Sequence, residues 1–176
     1  ILKQGIHSGT GSGVVPSCFL VLRQLLSRIE NESSGEITLQ DLFVDIPAER
    51  IRQAEITASV FGQHVYDDYP FAKDVQPVST NLANLLVNRT WRPALSVIGA
   101  AGLPTPDNAG SVTLPALTFT LSMRLPPMCD ATMAANALKK ALESNPPFQA
   151  NVNFTIGKTS SGWNAPAEAT WLSEIA

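Results

Sequence analysis

The residues best equipped for chemistry lie close to the start of the chain, in Gly5-Ile6-His7-Ser8-Gly9-Thr10-Gly11-Ser12-Gly13, a single histidine among four glycines. An imidazole titrates near neutrality and can donate or accept a hydrogen bond through either nitrogen. Glycine lets the neighbouring backbone take positive φ and come close to other groups. A histidine so flanked at a strand end is placed to reach another surface. The rest of the chain offers it no catalytic partner. His64 is the only other histidine, and no His-x-Asp, Cys-x-x-Cys or His-Glu-x-x-His run supplies the paired ligands of a metal site. No complete metal site is therefore expected in this chain. Nothing in the spacing sets a Ser or Cys beside a histidine with an orienting acid, as nucleophilic catalysis requires. The glycine run also lacks the Gly-Lys-Ser/Thr ending and the GxGxxG spacing of phosphate-binding loops. His7 reads as a donated group that completes a site lying mostly outside this chain.

Composition narrows the setting. With 176 residues, 44% hydrophobic and 15% charged, the chain can bury a real core and is expected to form one domain with an insertion. A formal charge of -3, with twelve scattered Lys and Arg, gives no basic field for nucleic acid. No apolar run approaches the roughly 20 residues of a membrane span, and no secretory leader pattern opens the chain. It has no initiator Met and begins in strand-like sequence, as an excised domain or processed chain does, so a fragment is expected. Cys18 and Cys129 are two cysteines far apart, too few for a disulfide framework. Free thiols and the lack of a leader favour a cytoplasmic location. The three Asn-x-Ser/Thr triplets, at Asn31, Asn88 and Asn153, carry meaning only in a secreted protein.

The elements that must position His7 follow from periodicity. Residues 1–7 read as a first strand, with Leu2, Gln4 and Ile6 on one face. Pro16 suits a helix's first turn, and Cys18, Leu22, Leu25, Leu26 and Ile29 recur at helical spacing to about Glu30. From Glu36 to Arg92 the texture changes to short helical pieces and turns, which predicts an insertion. Within it, Pro47 to Phe61 reads as one helix, and Thr80 as the cap of another carrying Leu82, Leu85 and Leu86. Leu95, Val97 and Ile98 make a strand. Leu117, Phe119, Leu121, Met123 and Leu125 alternate with Thr118, Thr120, Ser122 and Arg124, which predicts a strand with one buried and one polar face. Asp130 is a good N-cap for a helix bearing Met133, Ala134, Ala137, Leu138, Ala141 and Leu142, stopped by Asn145-Pro146-Pro147. Ala150, Val152, Phe154 and Ile156 alternate in a last strand. The order strand, helix, insertion, strand, strand, helix, strand predicts an α+β, ferredoxin-like split βαβ fold: a four-stranded antiparallel sheet with two helices on one face and a partly helical insertion.

These residues also carry a family resemblance. Gly5-Ile6-His7-Ser8-Gly9 with Ser12-Gly13-Val14-Val15-Pro16 ahead of an apolar helix resembles the start of the lid, or dimerisation, domain of the aminoacylase and carnosinase-like dizinc metallopeptidases. Asn88-Arg89-Thr90-Trp91-Arg92-Pro93-Ala94-Leu95, Ala109-Gly110-Ser111-Val112 and Leu121-Ser122-Met123-Arg124-Leu125-Pro126-Pro127 resemble later landmarks. Gly162-Trp163-Asn164-Ala165-Pro166 is similar to the return to the catalytic domain. The likeness covers nearly the whole chain in the right order.

The resemblance implies a lid domain over 1–158, with the insertion at about 36–92, and a linker over 159–176 returning to a catalytic domain outside this sequence. That domain would hold two zinc ions that activate water for attack on an amide carbonyl. The lid domain alone is expected to be inactive. It would form the homodimer and send His7 into the partner's active site, where an imidazole can hydrogen-bond a developing oxyanion, worth ~2–4 kcal/mol. Arg124 matches the family's arginine that binds the substrate carboxylate, a task suited to its planar fork. Ser111 stands where relatives carry an Asn or Thr that touches substrate; serine keeps a hydroxyl with shorter reach. Substrates would be small peptides or N-acyl amino acids. The rival reading is a free-standing ferredoxin-like ligand-binding or regulatory module, since one fold serves many roles.

Overall fold

The computed structural model describes residues 1–166. Strand β1 (Ile6–His7) leads directly into a single turn, α1 (Ser8–Gly11). The chain then turns through Gly13, whose φ of 73° lies in the region that favours glycine. Ser17 Oγ accepts the Leu20 N–H at 3.1 Å and so caps α2 (Cys18–Leu26). The helix stops short of the expected Glu30. Beyond Leu26 the chain tightens into three-residue turns, with the Ile29 N–H on the Leu26 carbonyl, and then enters a hairpin in which Glu30 bridges Ile37. Asn31 Oδ1 accepts the N–H groups of Ser33 and Ser34 and shapes that turn. Ile29 and Ile37 are both buried, so the hairpin brings Ile37 into the core beside Ile29.

The expected insertion is helical: α3 (Ala48–Phe61), the short α4 (His64–Asp67) and α5 (Leu82–Trp91), with α3 packed along α5. Asn81, one residue after the expected Thr80, caps α5 by accepting the Asn84 N–H at 3.0 Å. Asn is the stronger capping residue of the two. After it come β2 (Ala94–Ala101), β3 (Val112–Thr113), β4 (Thr118–Arg124) and α6 (Ala131–Glu143). Asp130 caps α6 as its sequence position predicts, with Oδ1 accepting the N–H groups of Thr132 and Met133 at 2.8 and 2.9 Å.

The strands form two antiparallel ladders of two strands each, not the single four-stranded sheet that the element order predicts. In one, Ile6 lies opposite Thr113 and His7 opposite Val112. In the other, β2 and β4 pair from Ala94–Arg124 to Ala101–Thr118, with a bulge between Val97 and Gly99. The first ladder is short for a specific reason. The nitrogens of Ile1 and Leu2 both donate to the Pro115 carbonyl, at 3.1 and 3.2 Å, and Pro115 has no N–H to return the bond. The expected fourth strand keeps its alternation, with Ala150, Val152 and Phe154 turned to the core. Its backbone, however, bonds to side chains of α6: the Phe154 N–H donates to Glu143 Oε1 at 2.7 Å, and Lys139 Nζ donates to the Phe154 carbonyl at 2.9 Å.

One hydrophobic core unites these parts. Val21 and Leu25 of α2 meet Ala134, Leu138 and Leu142 of α6, with Ile29, Ile37 and Leu42 between them. Leu95, Leu121 and Met123 close it from the β2–β4 ladder. Both helices thus lie on one face of that ladder, and the opposite face exposes Ser96, Thr118, Thr120 and Arg124. Arg28 ties the ends of the helices together, donating to the carbonyls of Ala141, Ser144 and Asn145 at 3.1, 2.6 and 2.7 Å. A cation there also suits the negative end of the α6 dipole.

Both cysteines are free, Cys129 buried and Cys18 half-buried. Among the described residues no helix is long and apolar enough to cross a membrane. The expected linker is described as far as Pro166; its remainder, 167–176, lies outside the described residues.

Candidate functional site

His7 stands exposed at the end of β1, where the strand turns into α1. Its ring is fixed by a local bond: Nδ1 accepts the Gly9 N–H at 3.1 Å, so the histidine serves as N-cap of its own turn. With Nδ1 an acceptor, a neutral ring carries its proton on Nε2, the corner aimed away from the turn. The glycines make this pose possible. A Cβ on Gly9 would come within 3.2 Å of Nδ1 and 3.3 Å of Cε1 of His7. One on Gly11, which is buried, would crowd Ile6 Cδ1 at 3.1 Å and Thr113 Oγ1 at 3.2 Å. Bulk at either position would lift the turn from the ladder or push the ring aside.

Ser111 shares this corner. The Ser8 N–H donates to the Ser111 carbonyl at 2.8 Å, and Val112, the next residue, is the strand partner of His7. Two of the three residues singled out in the sequence are therefore brought together. Arg124 is carried by the other ladder, at the end of β4 opposite Ala94. It is exposed, and among the described residues its guanidinium makes no hydrogen bond or ion pair. The chain keeps that cation uncommitted on an open sheet face.

The remaining candidates fall away on geometry. His64 is exposed and lies 3.2 Å from Asp67 on the next turn of its own helix. Burial pushes the Cys129 thiol up, with the neighbouring Asp130 charge adding to the effect, so it stays protonated and makes a poor nucleophile. Among the described residues there is no cluster of three or more His, Cys, Asp or Glu able to hold a metal ion. The His7–Gly9 cap is the feature that the sequence reading missed. Its signal was a side-chain acceptor two residues ahead of a glycine N–H at a strand-to-turn junction.

No protein-family model and no curated protein sequence matches this chain. Solved structures do match, and those with the same fold are peptidases by name. Human carnosine dipeptidase 1 superposes with a TM-score of 0.67 at 20% identity, covering 98% of this chain and 37% of the dipeptidase. The di-peptidase Dug1p from Saccharomyces cerevisiae gives 0.57 at 19% identity, over 82% of this chain and 31% of its own. An M20 family metallo-carboxypeptidase, Sso-CP2 from Sulfolobus solfataricus, gives 0.55 at 16% identity, over 80% and 36%. At these identities the likeness is one of fold, so this chain has the fold of one part of such peptidases. It spans about a third of their length.

Proposed function

We propose that this chain is the lid and dimerisation domain, over 1–158 with its insertion at about 36–92, of a two-zinc amide hydrolase acting on small peptides or N-acyl amino acids. The single observation that carries the reading is the pose of His7. Its ring is capped through Nδ1 and exposed, within a fold shared over 98% of the chain with a dipeptidase. The described residues offer no ligand cluster for the metals. The zinc ions of this proposal would be held by the catalytic domain.

Two side chains of this domain act on the substrate. His7 Nε2–H donates to the carbonyl oxygen as charge builds on it during attack, in the partner subunit of a homodimer. Such a donor acts only as the transition state forms, so its loss falls on kcat. Arg124, exposed and among the described residues unpaired on the outer face of the β2–β4 ladder, receives the substrate carboxylate through a bidentate fork. Ser111, held against Ser8, lines the same corner as His7.

The test uses the full-length enzyme. Arg124→Ala is expected to raise KM for substrates with a free carboxylate, while an amidated substrate binds as before. A mixed dimer, with His7→Ala in one subunit and a disabled metal site in the other, separates donation in trans from donation in cis. If one active site per mixed dimer survives only when its partner supplies His7, the reading stands. If activity follows His7 of the same subunit, donation across the dimer is refuted.

A further inference from the structure

A short strap, residues 162–165, bridges the chain that leaves β4 and helix α3 of the insertion. One end lies on Pro126 and Pro127. A Cβ on Gly162 would stand 3.0 Å from Pro127 Cα and 3.2 Å from the Pro126 carbonyl oxygen, so glycine is what lets the two backbones come this close. Asn164 Nδ2 adds a weak bond to Met128 Sδ at 3.8 Å. The other end is held by α3. Arg50 Nη2 donates to the Ala165 carbonyl at 2.6 Å and to Asn164 Oδ1 at 3.4 Å, while Nη1 donates to Gln53 Oε1 of the same helix at 2.9 Å.

Apolar packing does little to fix the strap. Trp163 is 78% exposed, and a groove of about 410 Å³ opens between the strap and Ala54, Thr57, Leu86 and Trp91 of the helices. A segment that stands off its apolar neighbours takes its position from polar bonds, and those from a charged donor are the strong ones. Half-buried Arg50, braced by Gln53, supplies them. The place it fixes lies close to Arg124, which ends β4. Leu125 and the fully buried Pro126 lead straight on to Pro127, at most about 11 Å of chain away. We infer that Arg50 is a positioning residue: it fixes the strap relative to Arg124, and with it the reach from the catalytic domain to the carboxylate that Arg124 receives. This rests on the proposed reading of Arg124 and of the linker, and adds to it a residue of the insertion that acts through the strap.

The full-length enzyme tests it through one ratio, kcat/KM for a peptide with a free carboxylate over that for its C-terminal amide. Arg50→Ala is expected to lower the ratio on the order of tenfold or more with Arg124 intact, because the carboxylate and its fork no longer meet while the amide is turned over as before. Arg50→Lys, which keeps the charge but not the fork, falls between. Gly162→Ala lifts the strap from Pro127 and lowers the ratio from its other end. A purely structural role would lower Tm and leave the ratio alone, since both substrates would suffer equally. Wild-type ratios in Arg50→Ala and Gly162→Ala, with the ratio lost in Arg124→Ala, overturn the positioning role and leave the reading of Arg124 standing. A ratio unchanged in Arg124→Ala overturns both. If Arg50→Ala does not fold, Arg50→Lys decides, and a wild-type ratio there overturns the proposal.

Discussion

His7 has two roles that one substitution can pull apart. In His7→Ala the Gly9 N–H loses its acceptor and the Nε2 donor disappears together. In His7→Asn the amide oxygen can still cap the turn, since Asn is among the best N-cap residues, but the side chain is too short to place a donor where Nε2–H stands. The cap is exposed and serves a turn of only four residues, so its loss belongs at the low end of the usual range, about 0.5–1 kcal/mol. For a domain of this size that lowers Tm by ~1–4 °C. Loss of an oxyanion donor costs about 3 kcal/mol of transition-state stabilisation, or roughly 100-fold in kcat. The full-length enzyme, assayed for kcat, KM and Tm, should therefore show Ala and Asn equally slow at nearly unchanged KM, with only Ala less stable. If His7→Asn restored kcat to the wild-type value, His7 would be a cap and nothing more.

Other perturbations read the same corner and its support. Gly9→Ala forces a methyl against the His7 ring and should lower kcat about tenfold, whereas Gly13→Ala, with open space around its Cβ, should cost about 1 kcal/mol of stability and leave kcat alone. Equal kinetics in the two variants would show that the ring's pose does not matter. Arg28→Ala strips three carbonyls at the end of α6 of their donor and should cost about 2 kcal/mol, seen as a lower urea midpoint at unchanged slope; Arg28→Lys, lacking the fork, should recover only part. The carboxyl of Glu143 is held below the usual carboxylate range by hydrogen bonds from Lys139 and from the Phe154 N–H. Its contribution is then full above about pH 4.3 and fades as pH falls through the lowered value. Urea midpoints of Glu143→Gln should lose that acid-side slope; an unchanged slope would mean that the Glu143 carboxyl is not its source.

The parts of the fold that were legible rest on local chemistry. Strict alternation from Leu117 to Leu125 gave β4, and Asp130 ahead of a helical stripe gave α6 with its cap. Helices α3 and α5 followed from Pro47 and from the leucines after Thr80, although the cap of α5 proved to be Asn81 and the short α4 was not foreseen. At the candidate site, His7 stood out by composition alone, and Ser111 and Arg124 through motif resemblance. What could not be read was which backbone bonds to which. Alternation over 150–156 is the same whether the chain joins a ladder or bonds to Glu143 and Lys139, because inward-facing Val152 and Phe154 satisfy the core either way.

The sequence by itself determined β4, α6 with its Asp130 cap and the glycine-flanked histidine, since each depends on residues close together in the chain. Tertiary structure decided the pairings. It set His7 against Val112, placed Ser111 beside Ser8, left Arg124 open on a second ladder and kept a groove between β4 and residues 150–154. Those outcomes hang on backbone hydrogen bonds between segments distant in the chain or on single departures such as Pro115 without its N–H, and no local pattern encodes them.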